Sequence, residues 1–193
     1  LRAAFLDNWT EAGKWEFDDV VARPTRQDAD IPVQVLRAST TIGWTDTAAL
    51  LRSVVSLSRE RLRIFTAYFN PDPVLVDLLL AAQTRGVDVR LLVPGRYCDS
   101  HLSQLAGFES MCRLMDAGVR FFMYQRTMLH TKALTVDASL VVIGSPNLNF
   151  RSMGKDEECS VVLLSTGLAK QLDERFDDDC RYADEQDAQE WAR

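Results

Sequence analysis

Apolar and polar positions alternate along this chain with two different periods, and the switches between them mark its elements. Residues 1–11 place Leu1, Ala4, Phe5 and Trp9 at helical spacing, which predicts a helix. Residues 12–31 are polar and irregular, with Gly13 and Pro24. A structureless stretch of that length is uncommon inside a compact domain, so it reads as a connection from a preceding domain. Residues 32–39 predict a first strand. Residues 45–60 alternate at helical period behind Thr45 or Asp46 as N-cap. Residues 62–69 predict a strand. Pro71-Asp72-Pro73 then opens a helix that runs to about Arg85 and closes at Gly86. A near-continuous apolar strand over 87–93 ends at Pro94-Gly95, a helix over 100–117 closes at Gly118, and a strand follows over 119–124.

The remaining pattern is different. Strands over 131–136 and 140–144 are separated only by Asp137-Ala138-Ser139, which predicts a tight hairpin. A strand over 159–165, a closing amphipathic helix over 166–181 and an acidic tail, frayed or loosely helical, complete the chain. Strands alternating with helices predict an α/β fold, an α-β-α sandwich whose sheet is mixed but largely parallel, with helices on both faces. Three segments follow: 1–31, an N-terminal helix and connecting segment; 32–181, the main domain; and 182–193, the tail.

Composition narrows the field without naming a function. The 193 residues are 47% hydrophobic and 26% charged, ordinary for a globular chain with a real core. The net charge of −6 weighs against a general nucleic-acid binder, which is usually basic. Cys98, Cys112, Cys159 and Cys180 form no C-x-x-C pair and no Cys-His metal spacing, so free thiols in a reducing compartment are expected. No apolar run reaches ~18 residues, so no spanning helix is predicted. Asp177-Asp178-Asp179 points in three directions on a helix and reads as a solvated face rather than a metal site. Trp9, Trp15 and Trp44 are expected in core or inter-domain packing. His101 is expected on the polar side of its helix.

The chemistry concentrates after residue 129. His130-Thr131-Lys132 and Asp137 read H-x-K-x4-D, and Gly144-Ser145-Pro146-Asn147 reads G-S-x-N. In an extended segment, His130 and Lys132 share a face. A neutral imidazole can attack phosphorus or take up a proton. A lysine ammonium suits the non-bridging oxygens where charge gathers in the transition state. Ser145 and Asn147, in a loop past a strand end, can donate to the same oxygens, and Gly144 lets the backbone come close. Glu157 or Glu158 could orient the His130 ring. Such a set can handle a phosphodiester with no metal or organic cofactor.

These residues resemble the HKD signature of the phospholipase D superfamily. The flanks extend the resemblance to the second half of bacterial cardiolipin synthases: Tyr68-Phe69-x-Pro71-Asp72, Arg85-Gly86-Val87-Asp88-Val89-Arg90, Pro94, Asp99-Ser100, Ala117-Gly118-Val119-Arg120 and Asn149-x-Arg151-Ser152. Residues 1–12 resemble the helix that follows the first HKD motif there. The resemblance implies a phosphatidyltransferase acting through a phosphohistidine, with His130 as acid/base, Lys132, Ser145 and Asn147 on the phosphoryl oxygens, and Glu158 orienting the histidine. Asp137 is the motif aspartate, with a role more structural than chemical. Where that family often reads N-F-E, this chain has Asp156-Glu157-Glu158. No second H-x-K-x4-D is present, since His101 lacks the partners. The implied partners are a phospholipid, phosphatidylglycerol first, and a first HKD half in the same protein or a second chain. Peripheral contact with the inner membrane from the cytoplasmic side is expected, and nucleic acid is not. Two other readings stand beside this one: a phosphodiesterase (phospholipase D or nuclease) built from two single-motif chains, and a non-catalytic half-domain.

Overall fold

The computed structural model describes residues 2–13, 31–39 and 46–187. The elements are α1 (Arg2–Gly13), β1 (Val33–Ala38), α2 (Asp46–Leu57), β2 (Arg61–Phe65), β3 (Phe69–Asn70), α3 (Pro73–Thr84), β4 (Asp88–Pro94) and α4 (His101–Asp116). They continue with β5 (Arg120–Tyr124), β6 (Ala133–Val136), β7 (Leu140–Gly144), β8 (Leu148–Asn149), α5 (Phe150–Gly154), β9 (Glu158–Leu164), α6 (Thr166–Cys180) and β10 (Ala183–Glu185). Trp15, Trp44, Thr45 and most of the expected 12–31 connection lie outside the described residues.

The helix stops and starts follow local chemistry. Asp72 caps α3 by accepting the Leu75 N–H at 2.9 Å, with Pro73 as the first helical residue. Ser100 and Ser165 cap α4 and α6 by accepting the N–H of Ser103 and Leu168, each at 3.3 Å. Gly86 and Gly118, at φ +88° and +97°, take the left-handed conformation that ends α3 and α4.

Eight strands form one sheet in the order β1-β9-β7-β6-β2-β4-β5-β10, and β3 pairs with β8 apart from it. The α/β sandwich and the mixed sheet are those expected, but the balance of directions is not. Only β2–β4 and β4–β5 run parallel within the large sheet; its other pairs are antiparallel. The reason is where the crossovers lie. α3 and α4 carry the chain back between parallel strands, whereas the Asp137 turn folds β7 directly onto β6, and β9 and β1 add antiparallel beyond it.

Alternation along the central strands sends side chains to two cores. Leu62, Ile64, Leu91 and Phe121 pack under α2, α3 and α4. Phe65, Leu92, Phe122 and Ala133 pack on the other face around Phe176 of α6. Phe176 is fully buried and meets Phe65 edge-on at 5.2 Å between ring centroids; its burial alone stabilises by about 1.5–3 kcal/mol. Beside it, buried Asp173 accepts the Thr135 hydroxyl at 2.5 Å and pairs with Arg61 at 3.4 Å.

Other expectations change. The strand expected over 62–69 breaks at Thr66, whose buried hydroxyl donates to the Tyr68 carbonyl (2.9 Å) and accepts the Leu148 N–H (3.1 Å). That bond pair bends the chain out of the large sheet into β3. The tail is neither frayed nor helical at its start: β10 pairs with β5, and Glu185 accepts two hydrogen bonds from Arg120 at 2.6 and 2.9 Å. The short β8 and α5 had no counterpart in the pattern. Asp177 and Asp178 are exposed as expected, but Asp179 is buried and paired with Arg175 at 2.9 Å. Trp9 is 44% exposed and stacks on Phe5, so the described part of the molecule does not bury it.

Candidate active site

The carboxyl ends of β2, β4 and β5 lie at one edge of the sheet, and antiparallel pairing brings the start of β6, the end of β7 and the start of β9 to the same edge. Ligand sites of open α/β sheets lie at such edges. His130 and Lys132 sit just before β6, Ser145 and Asn147 just after β7, and Glu158 opens β9.

His130 is exposed, and Lys132 is half-buried with its ammonium donating to the His130 carbonyl at 3.1 Å. Burial holds the Lys132 ammonium below its ordinary pKa, against the opposing pull of the Glu158 and Asp99 carboxylates. A cation in that condition is short of solvent and gains from an incoming anion.

Ser145, exposed, is held against β9 by two contacts: its N–H donates to the Cys159 carbonyl (3.0 Å) and its hydroxyl accepts the Cys159 N–H (3.0 Å). The same hydroxyl donates to Glu158. The approach of β7 to β9 explains Gly144, where a Cβ would stand 2.5 Å from the Cys159 carbonyl oxygen. Of the two candidate glutamates, Glu157 bonds the Ser39 hydroxyl at 2.6 Å, on the β1 side. Glu158 is therefore the one that faces Ser145 and Lys132. Among the described residues its hydrogen bond is to Ser145 and not to the His130 ring, so the expected orienting contact is absent from this arrangement.

Asn147 is fixed through its backbone, which donates to the Ser152 hydroxyl at 3.1 Å. Its side-chain Oδ1 is buried without a hydrogen-bond partner among the described residues, an unsatisfied acceptor of the kind that stable cores avoid. Ser152 is thus structural, as expected, and Arg151 pairs with Asp156 at 3.0 Å.

Asp137 is the one candidate that the fold takes elsewhere. It lies at the far end of β6, where its carboxylate accepts the N–H groups of Arg59, Glu60 and Arg61 at 2.8–3.2 Å. It belongs to the start of β2 and not to the group around His130.

Two residues outside the predicted catalytic set stand beside it: Tyr68, which the sequence offers equally as a lipid- or glycerol-pocket residue or as core, and Asp99. Tyr68 stands edge-on to His130, with ring centroids 6.3 Å apart and planes at 81°. Its hydroxyl donates to Asp99 at 2.6 Å. That hydrogen bond, with burial and the carboxylate charge, pushes the phenol up to about 12. Both residues stood in the flanking resemblance, but a contact across 31 positions leaves no local signal. His101 is exposed, as expected, with its Nδ1 3.3 Å from the Cys98 sulfur. No group of three or more His, Cys, Asp or Glu placed to hold a metal ion occurs among the described residues.

Chemically, the edge presents an accessible imidazole, a partly desolvated ammonium, a hydroxyl held by a carboxylate and a fixed amide. This is a proton carrier beside an anion-binding set.

The comparisons agree with that architecture. Residues 51–180 match the family described as cardiolipin synthase, PLD-like domain. The chain is 31% identical to cardiolipin synthase 2 of Bacillus cereus over 188 residues, covering 96% of this chain and 36% of that protein. It is 26% identical to a cardiolipin synthase of Clostridium perfringens over 185 residues, covering 91% and 38%. The chain therefore spans little more than a third of these relatives. Among solved structures, the phospholipase D family member Nuc of Salmonella typhimurium superposes with a TM-score of 0.71 at 23% identity, covering 82% of this chain and 99% of that one. A phosphatidylserine synthase of Haemophilus influenzae gives 0.66 at 17%, covering 97% and 46%; at these identities both show the fold. With two thirds of its length inside the matched domain, the chain belongs to the cardiolipin synthase family of phospholipase D-like domains.

Proposed function

We propose that this chain is the second HKD half of a phosphatidyltransferase of the cardiolipin synthase type, with His130 as its acid/base. The observation that carries the reading is the gathering of His130, half-buried Lys132, Ser145 and Glu158 at one sheet edge, with the Lys132 ammonium under the attraction of the Glu158 and Asp99 carboxylates. In this reading a histidine from the first half attacks the phosphorus of one phosphatidylglycerol. A phosphorus–nitrogen bond forms and the bond to glycerol breaks. Protonated His130 gives its proton to the departing glycerol oxygen. Now neutral, His130 takes the proton from the hydroxyl of a second phosphatidylglycerol, whose oxygen attacks phosphorus and frees the first histidine. Lys132 and the Asn147 amide hold the non-bridging oxygens as charge gathers there. Glu158 acts through Ser145, keeping its hydroxyl at the same edge.

Residues 1–31 then carry the link from the first half, and 32–181 form the domain, whose sheet is completed by β10 at the start of the 182–193 segment. The Asp7–Arg37 pair at 2.5 Å ties α1 to β1, which supports an N-terminal helix docked on the domain it precedes. No described helix is long and apolar enough to cross a membrane, so this half would meet phospholipid from the surface.

A second reading has one observation in its favour: the chain covers 99% of the Salmonella protein's length, so a single domain of this kind exists as a chain. Two copies paired around a twofold axis would then supply both histidines of a phosphodiesterase.

The test is phosphatidyl transfer by the full-length protein on phosphatidylglycerol vesicles, wild type beside His130→Ala, with lipid products resolved by mass. Cardiolipin from the wild type, reduced about 10²–10⁴-fold in the variant, supports the reading. Phosphatidic acid in its place means hydrolysis at the same site. No lipid product from a folded wild type sinks the lipid reading.

A further inference from the structure

A cavity of about 380 Å³ lies between α4 and the ends of β3, β4 and β5, beside the candidate active site. Tyr68 lines it, and the same ring stands edge-on to His130. Phe69, Val93 and Met111 give it a buried apolar side, and Leu105 at 68% exposure reaches solvent from the other. Ligand pockets of this size are mostly apolar, with a few polar groups that fix orientation. Here most of the polar groups are already engaged, the Ser103 hydroxyl being the exception. Gln104 donates to the carbonyls of Pro94 and Gly95 at 3.0 and 3.1 Å, and Ser100 caps α4. His101 faces Cys98, and Tyr68 bonds Asp99. What remains, apart from that hydroxyl, is contact surface that rewards an apolar occupant.

Resting on the functional reading above, we propose that this cavity receives one acyl chain of the diester lipid whose phosphate sits at His130. Tyr68 is the shared wall: phosphate and headgroup lie on its His130 side, and the glycerol backbone passes the ring so that the chain enters under α4. Leu102, next to the cavity on α4 and 80% exposed, continues the apolar path outward to where the lipid comes from.

The test uses the full-length protein with ¹³C-methyl methionine, in the His130→Ala background so that the lipid is not consumed. Met111 and Met123 line the cavity, Met128 lies beside His130, and Met153 is buried and lines neither place; Met→Leu exchanges assign each resonance. Monomeric dihexanoylphosphatidylglycerol should shift Met111 and Met123 saturably and leave Met153 in place. Deacylated glycerophosphoglycerol should shift neither Met111 nor Met123. Affinity should rise about fourfold for each methylene added to the chains. Ser103→Trp, which fills the cavity from α4, should abolish the Met111 and Met123 response and weaken the lipid at least about tenfold, without weakening glycerophosphoglycerol. A lipid that moves Met128 alone, or binds equally well to Ser103→Trp, overturns the cavity assignment and leaves the functional reading standing. Responses at Met111 and Met123 from a protein whose wild type makes no lipid product support the acyl site and overturn the function.

Discussion

The two ends of the β6–β7 hairpin are built from one motif and do opposite things. At the sheet edge, His130 and Lys132 enter β6 and Ser145 leaves β7; the histidine is exposed and the lysine is held below its ordinary pKa by burial. At the other end, Asp137 is saturated: three consecutive backbone N–H groups donate to its carboxylate. A carboxylate that fully bonded fixes the start of β2 against the turn, and it has nothing to offer a substrate. The comparison teaches that the spacing H-x-K-x4-D joins two functions through the length of a strand. In the proposed function the histidine and lysine meet the ligand, while the aspartate bonds the start of β2 against the hairpin that carries them. An incompletely satisfied end and a well-satisfied end are what a site and its support look like in hydrogen-bond terms.

The largest expected effect after loss of His130 is at Lys132. Lys132→Met should lower transfer by the full-length enzyme about 10²–10³-fold, the scale of removing one preorganised donor to a developing oxyanion. Folding should not suffer, because a desolvated charge is replaced by an apolar side chain. The sign of the pH dependence follows. With its folded pKa below the unfolded value, charged Lys132 opposes folding at neutral pH. That cost is relieved as pH rises through the window between the two values. The stability advantage of Lys132→Met should therefore shrink toward alkaline pH, as denaturant titrations at two pH values would read. A stability loss at neutral pH would mean that Lys132 is a structural residue.

Asp137→Ala inverts that profile. Removing an acceptor of three N–H groups should cost about 2–3 kcal/mol of unfolding free energy, read from chemical denaturation. Enzyme that remains folded should keep most of its kcat. Asp137→Asn retains one acceptor oxygen and should recover part of the loss. A loss of kcat with stability intact would place Asp137 in the chemistry and erase the contrast between the ends.

How much of this was legible beforehand divides along the same line. Local chemistry was readable: the helix start at Pro71-Asp72-Pro73, the Gly86 and Gly118 stops, and the hairpin at Asp137 each follow from residues within a few positions. The histidine, lysine, serine and glutamate reach one edge because the strands that carry them are adjacent, and strand alternation was visible in the pattern. What was hidden depends on distant partners. The break at Thr66 needs Leu148, β10 needs Arg120, and the Tyr68–Asp99 bond spans a crossover. Sheet direction was misjudged because periodicity reports a strand but not its neighbour. An acidic Ala183–Glu185 segment reads as tail until β5 offers it both a ladder and a cation.

The smallest effect tests the quiet end of the hairpin most finely. Asp137 and Ala138 both have φ of 49°, the left-handed region. Asp137 is held there by its three N–H donors, while for Ala138 the conformation is simply unfavourable by about 1 kcal/mol. Ala138→Gly removes that strain but gives the unfolded chain more freedom. A net gain of about 0.5 kcal/mol is expected, a rise in Tm of about 1–2 °C for a domain of this size, with activity unchanged. Ala133→Gly, at the other end of the same strand and buried in the core around Phe176, should instead lose about 1 kcal/mol, because no positive φ is relieved there. If both glycines destabilise alike, the turn is not strained, and the asymmetry between the ends rests on the Asp137 hydrogen bonds alone.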